Sequence, residues 1–364
     1  METAFISKLK PLLDAIAATM EVYLPAQAGE HEAWRKYQPQ GTVELQLNAI
    51  RTYAPVKEFL FPLRELAAVF PAPARPTPVR PFAFFGLKAC DLRALEILDR
   101  VFLEKEFEDP FYAARREKMF TVASDCAAPG ESCFCNVLAG KPYPESGFDL
   151  NVAQVADGFL VQPGSAQGKG FLFTHAALFG DVPDALLAEQ AQRRQAAESQ
   201  LAQATRDFPL PASLGDIVEQ GYGSEVFDEQ ARTCVECQAC TRICPTCHCF
   251  YLYDTRQQEY FGVPNAKLRV GGPFAKTKIW DSCLRLGHAQ VAGGANPRRL
   301  LGDRLRHRFL HKFVYFLERY GIDMCVGCGR CVDAETGNID IRTVLKLLHD
   351  ELLAQGHKPA KAVP

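Results

Sequence analysis

Fourteen cysteines stand in this 364-residue chain, and they fall in groups, with none in residues 1–89 or 136–233. The densest group reads Cys234-x2-Cys237-x2-Cys240-x3-Cys244-Pro245. In bacterial ferredoxins this run gives three thiolates to one four-iron cubane and a fourth to a second. The spacing follows from the ligand geometry: a tight turn with two-residue gaps presents three corners of a tetrahedron, and the proline ends it. The partner run is Cys325-x2-Cys328-x2-Cys331, where Gly327 and Gly329 free the backbone to wrap a cluster. Its fourth position holds Glu335, followed by Thr336, where a cysteine and a proline are expected. By the crossed rule, Cys325, Cys328, Cys331 and Cys244 close one [4Fe–4S] cluster, and Cys234, Cys237 and Cys240 are left one thiolate short. A zinc site normally uses two separated Cys-x2-Cys knuckles instead.

Three further cysteines follow the first run: Cys247 and Cys249 in Cys-Pro-Thr-Cys-His-Cys, and Cys283 in Trp-Asp-Ser-Cys. One of them completing the short cubane, ligation by Glu335 or water, a three-iron cluster, a separate site and inert buried thiols all remain open. A thiolate suits iron–sulfur better than a carboxylate does, while sequence position favours Glu335. His248 and His288 stand near these thiols as ligands or hydrogen-bond donors. In the first half Cys90, Cys126, Cys133 and Cys135 form a third group. Cys90 and Cys126 each follow a short apolar run that reads as a strand, and α/β folds place ligand sites at the ends of parallel strands. Four thiols meeting there would suit a third [4Fe–4S] cluster.

The elements that must carry these groups are legible in outline. Met1–Glu21 reads as an amphipathic helix, and Leu45–Tyr53 and Leu63–Phe70 have helical patterns. The Pro-rich stretch after Phe70 reads as a turn or extended connector. Pro81–Gly86 and Phe120–Ser124 read as buried strands, Asp91–Phe102 as a helix capped by Asp91, and Phe148–Val161 as strand and turn. This alternation predicts an α/β domain over 1–184. An exposed helical linker spans 185–212, and an α-rich dicluster ferredoxin-like domain spans 213–364, with helices at Leu300–Tyr320 and Ile341–Leu353. The basic stretch Arg304–Lys312 reads as a solvated helix face or a docking surface. With 48% hydrophobic and 23% charged residues the composition is that of a soluble globular protein. A net charge of −2 gives no basic excess for nucleic acid. No apolar run is long enough for a membrane span, and Lys8, Lys10 and Asp14 interrupt any signal-peptide core. Clustered cysteines without a secretory signal place the chain in the cytoplasm. No Gly-x-Gly-x-x-Gly follows a strand, so the usual dinucleotide cradle is missing.

In order, the chain carries the first cysteine run with Cys-Pro-Thr-Cys-x-Cys, Trp-x-Ser-Cys, Ala-Gly-Gly, a basic helix with His311-Lys312, and Met-Cys-Val-Gly-Cys-Gly-Arg-Cys. Lys88-Ala-Cys90-Asp91, Asp109-Pro-Phe-Tyr, Arg115-Arg116, Cys133-Phe-Cys135 and Gly147-Phe-Asp-Leu extend the match through the first half. The sequence resembles the iron–sulfur subunit shared by anaerobic sulfite reductase (A subunit) and sulfhydrogenase (beta subunit). The resemblance implies electron transfer between a flavin-containing NAD(P)H oxidoreductase subunit and a catalytic or acceptor subunit with an iron–sulfur, sirohaem or nickel–iron centre. Heterodisulfide reductase is a third kind of acceptor. Glu335 departs from that family's cysteine. Two rival functions are a catalytic subunit reducing a sulfur substrate at Cys247, Cys249 and Cys283, and a zinc-stabilised interaction module.

Overall fold

The structure, a computed structural model, describes residues 3–41, 45, 47, 50–70, 76, 78–208, 210, 213–256 and 274–357. Eight strands precede residue 164: β1 (Ala4–Ile6), β2 (Glu21–Ala28), β3 (His31–Lys36), β4 (Arg64–Phe70), β5 (Phe82–Leu87), β6 (Met119–Ser124), β7 (Leu150–Val155) and β8 (Gly158–Pro163). All but β4 join one sheet in the order β1-β8-β7-β6-β5-β2-β3. Its centre, β2-β5-β6-β7, is parallel, and its margins are antiparallel. β5 and β6 are buried at every residue, as a central parallel strand covered on both faces requires. Successive side chains serve opposite layers: Phe85 packs with Leu12, Ile16 and Val122, whereas Phe84 packs with Leu95, Phe102 and Phe61.

The second sheet joins distant parts of the chain. β9 (Phe250–Arg256) and β10 (Phe274–Trp280) pair antiparallel, and β10 also pairs antiparallel with β4, from Phe274 opposite Phe70 to Ile279 opposite Arg64, with a register shift between Lys276 and Thr277. Trp280 then enters the apolar layer of Phe84 and Phe102 and donates to the Phe61 carbonyl at 3.0 Å. Around this sheet the C-terminal part is helical. Leu214–Gln220, Val226–Ala231, Leu301–Leu310 and Ile341–Ala354 share a core of Phe227, Phe309, Phe313, Leu345 and Leu348, into which Phe134 and Leu138 of the first half also pack. The Leu301–Leu310 helix continues through a π-turn at His311–Tyr315 into Phe316–Tyr320.

Several sequence expectations change here. Arg64–Phe70 is the strand β4, because its pairing with β10 overrides a helical pattern of apolar residues. Met1–Glu21 yields β1 and a helix only over Lys10–Ala17, which Pro11 starts in its first turn. The helix expected at Asp91 starts at Ala89. Asp91 sits in its first turn, where its carboxylate accepts from the Lys88 backbone N–H at 3.1 Å. Of Leu45–Tyr53, residues 45, 47 and 50–53 are not helical and the others lie outside the described residues, as does most of the Pro-rich connector. The strands at 82–87, 119–124, 150–155 and 158–163 stand where expected, as do the helices Asp184–Ala204 and Ile341–Ala354.

One ion pair ties the second cysteine run to the first sheet. The Arg330 guanidinium donates to the Asp91 carboxylate at 2.8 Å and to the Thr52 carbonyl at 2.9 Å, and both charged side chains are 1% exposed. Removing one member leaves the other charged and buried, which costs about 3–5 kcal/mol. Arg330→Ala should therefore lower unfolding stability by roughly that amount in denaturant titration. The double variant Arg330→Met with Asp91→Leu should regain much of the loss. A single variant as stable as the parent would show that the pair carries no such burden.

Candidate metal centres

The central strands aim one group of thiols. Cys90 lies in the helical turn just after β5, and Cys126 stands two residues beyond its parallel neighbour β6. The loop that follows brings in Cys133 and, at the start of a short 3-10 turn, Cys135. All four line one small cavity, whose wall also includes Gly327 and Cys328 of the second run. The two loops meet backbone to backbone: Phe134 N–H donates to the Gly327 carbonyl at 2.8 Å, and the Cys133 thiol lies 3.8 Å from the Cys328 carbonyl. Gly327 has φ +62, and a Cβ there would stand 2.5 Å from both N and Cα of Cys135. Burial, reinforced by repulsion from Cys133 and Cys126, pushes the Cys135 thiol up to about 12. Burial also raises Cys126, against the pull of Lys88 and Arg51.

The first run is turned by left-handed backbone at Glu236 (φ 55) and Gln238 (φ 65). Glu335 is the charged neighbour that Cys234, Cys237 and Cys240 share. One of its carboxylate oxygens accepts from the Ile339 N–H at 2.8 Å. Burial works to raise the Cys237 thiol, but hydrogen bonds from the Ala239 backbone and from Thr336 hold it below its ordinary value. Cys240 and Cys325 are pushed up, to about 11 and about 12, chiefly by burial. Cys325 and Cys331 both feel Cys244, and Cys331 also neighbours Cys240 and Cys328. Cys244 of the first run thus lies near two cysteines of the second. Cys247 hydrogen-bonds with Cys244, and Cys249 with Cys283. Cys283 also packs against Cys240. His248 is half-buried, with Nδ1 3.0 Å from the Thr246 carbonyl, and desolvation drives its imidazole down to about 4. His288 Nδ1 lies 2.6 Å from the Asp281 carboxylate.

Long cations surround these thiols. Arg304, Arg308 and Lys312, spaced four residues apart, are buried on one side of their helix, so the basic stretch is not a solvated or docking face. Arg304 binds Glu236 and the Arg299 carbonyl. Arg308 reaches the Cys240 carbonyl at 3.5 Å, and Lys312 Nζ donates to the Cys244 sulfur at 3.3 Å. Burial alone would lower Lys312. The sulfurs of Cys244, Cys247 and Cys325 hold it well above the ordinary lysine value. Sequence reasoning passed over these cations, although their four-residue period was a signal of one shared helix face. It had no such signal for Lys57, Lys88, Arg51 and Arg330, which are also buried. A donor set of thiols ringed by buried positive charge fits anionic iron–sulfur clusters, since burying charge demands an opposite partner.

Because Gly327 is both left-handed and in backbone contact, Gly327→Ala should cost about 1–3 kcal/mol and lower the thermal unfolding midpoint of the chain. Gly293→Ala, at a residue with no positive φ and nothing within 4 Å of an added Cβ, is the control and should leave the midpoint in place. Equal midpoints for the two would show that the loops have room to separate.

Among the described residues no helix is long and apolar enough to cross a membrane. The family model described as a 4Fe–4S dicluster domain matches residues 233–339, which span both cysteine runs. The sulfhydrogenase 2 subunit beta of Pyrococcus furiosus is 32% identical to this chain over 337 residues, covering 91% of the chain and 93% of that protein. With that identity along nearly its whole length, and both cysteine runs inside the matched dicluster domain, the chain belongs to the sulfhydrogenase beta-subunit family of iron–sulfur proteins.

Proposed function

We propose that this chain is the electron-relay subunit of an oxidoreductase complex, with three [4Fe–4S] clusters held in series. Cys234, Cys237 and Cys240, with Glu335 facing the fourth position, would hold the first. Cys244, Cys325, Cys328 and Cys331 would hold the second, and Cys90, Cys126, Cys133 and Cys135 the third. The observation that carries this reading is the shared cavity in which Cys328 of the middle set meets the four N-terminal cysteines. On its other side the middle set meets Cys240 of the first through Cys331. The middle set is thus flanked by both others, and Cys237, exposed at the surface, offers an outlet at one end.

When bound, a cubane supplies one-electron exchange at a potential set by its surroundings. The chain's residues set those surroundings. The Lys312 ammonium bonds the Cys244 sulfur, Arg308 neighbours Cys240, and the buried walls exclude water. A two-electron donor such as NAD(P)H needs a flavin to divide its pair. The donor would therefore sit on a flavin-containing partner subunit. The acceptor would be a partner with an iron–sulfur, sirohaem or nickel–iron centre. Unpaired thiols suit a reducing compartment such as the cytoplasm. The zinc reading has less support. The first run has the Cys-x2-Cys-x2-Cys-x3-Cys-Pro spacing of a cubane and lies within the matched 4Fe–4S dicluster domain, whereas a zinc site normally uses two separated Cys-x2-Cys knuckles.

Anaerobically purified chain should contain at least about twelve irons, four for each cubane. Cys126→Ser should remove about four of them and leave the EPR signals of the two runs in place. Iron unchanged by that substitution would remove the N-terminal cluster from the relay. Glu335→Cys should keep the first cluster and Glu335→Ala should convert it to a three-iron signal; identical spectra would deny the carboxylate that position. Rapid NADH oxidation by the isolated chain would overturn the assignment of the donor to a partner.

A further inference from the structure

Resting on the reading that this chain's thiols hold clusters, we infer that Cys247, Cys249 and Cys283 form a separate site for one more iron–sulfur cluster, with Lys57, Arg308 and Lys312 as its counter-charges. The three thiols come from two elements that the second sheet holds side by side. Cys247 and Cys249 lead into β9, and Cys283 follows β10, its partner strand. Backbone closes the corner, because Asp281 N–H donates to the Cys249 carbonyl at 2.9 Å. Cys283 feels both Cys249 and Cys247, so the three are mutual neighbours. Cys247 and Cys283 are buried.

The charges around them point to an anion larger than a lone thiolate. Lys57 is 1% exposed. Its ammonium donates to the carbonyls of Cys247 at 2.8 Å and Thr241 at 3.4 Å and lies 4.3 Å from the centre of the Trp280 ring. Burial works to discharge that ammonium, and the charges that oppose this most are the sulfurs of Cys247, Cys244 and Cys249, with the Glu58 carboxylate also in reach. The opposite charges that act most on Arg308 and Lys312 are likewise sulfurs, Cys247 among them in both cases. Three buried cations that all feel the Cys247 sulfur are costly in a dry interior unless anions neutralise them. A cubane with its thiolates carries more than one negative charge and meets that demand. His288 is the nitrogen donor on hand to complete the ligand set. Asp281 holds its Nδ1, which is the way a ligating imidazole is commonly oriented.

The experiment uses the full chain, purified without oxygen, with iron, sulfide and zinc counted beside EPR of the reduced protein. The expected wild-type content is about sixteen irons. Cys249→Ser and Cys283→Ser should each lower it by about four while keeping the signal that Cys237→Ser abolishes. Lys57→Met keeps every thiol and should retain the iron but shift one centre to lower potential, a readout that a purely structural lysine would not move. Three results would each overturn the inference: unchanged iron in both cysteine variants, stoichiometric zinc that both variants lose, or loss of the Cys237-dependent signal in both. If the wild-type chain holds about twelve irons and both variants also hold twelve, this site falls and the relay stands. If the wild-type chain holds no iron, the relay falls with it.

Discussion

Buried positive charge is the constraint on which the rest of this structure depends. Arg51, Lys57, Lys88, Arg308, Lys312 and Arg330 all lie inside the protein. Two of them have carboxylates, Arg330 with Asp91 and Arg51 with Asp333. Lys88 is held by the Leu47 and Asp125 carbonyls and the Ser124 hydroxyl. Lys57, Arg308 and Lys312 face cysteines. An interior of this kind is electrically balanced when the thiols are ionised or the lysines are discharged; burial lowers Lys57 and Lys88 and opposes ionisation in most of the thiols. A bound iron–sulfur cluster resolves the conflict, because it takes up thiolates and spreads their charge over a larger body. Ligand geometry and core stability are then one problem, and loss of the metal would leave both signs of charge uncompensated.

The legible part of the fold was the part with local causes. Cysteine spacing announced the two runs, since a turn that presents three thiolates is specified by a few neighbouring residues. β5 and β6 were legible because a buried parallel strand is a short unbroken apolar run. β4 was read as helix because Leu66, Ala67, Ala68 and Val69 suit either period, and the partner that decides, β10, lies some two hundred residues on. Arg304–Lys312 was read as surface because charge is usually solvated. Its inward face makes sense only once the cysteines opposite are placed. The convergence of Cys90, Cys126, Cys133 and Cys135 was inferred from strand ends, and the structure adds what no local pattern contains, the wall supplied by Gly327 and Cys328.

Position 335 places a charged side chain beside the first run in place of the expected cysteine. Glu335 remains the charged neighbour of all three cysteines of the first run, and Thr336, in the place of a proline, hydrogen-bonds Cys237. The carboxylate is steadied by the Ile339 N–H. Against a harder oxygen donor, the compensation on offer is hydrogen bonding to sulfur and the nearby Arg308, both of which favour the more negative state of the site.

The interlocked loops also fix an order of events in biosynthesis. The N-terminal cavity is walled by residues 327 and 328, and β4 has no sheet partner until β10 exists. A nascent chain that has emerged only through the first sheet therefore displays four open thiols and an unpaired strand edge. Such contacts, remote in sequence, form late and leave the intermediate exposed. A complete cavity around those four thiols therefore requires the second run, made some two hundred residues later, to be in place.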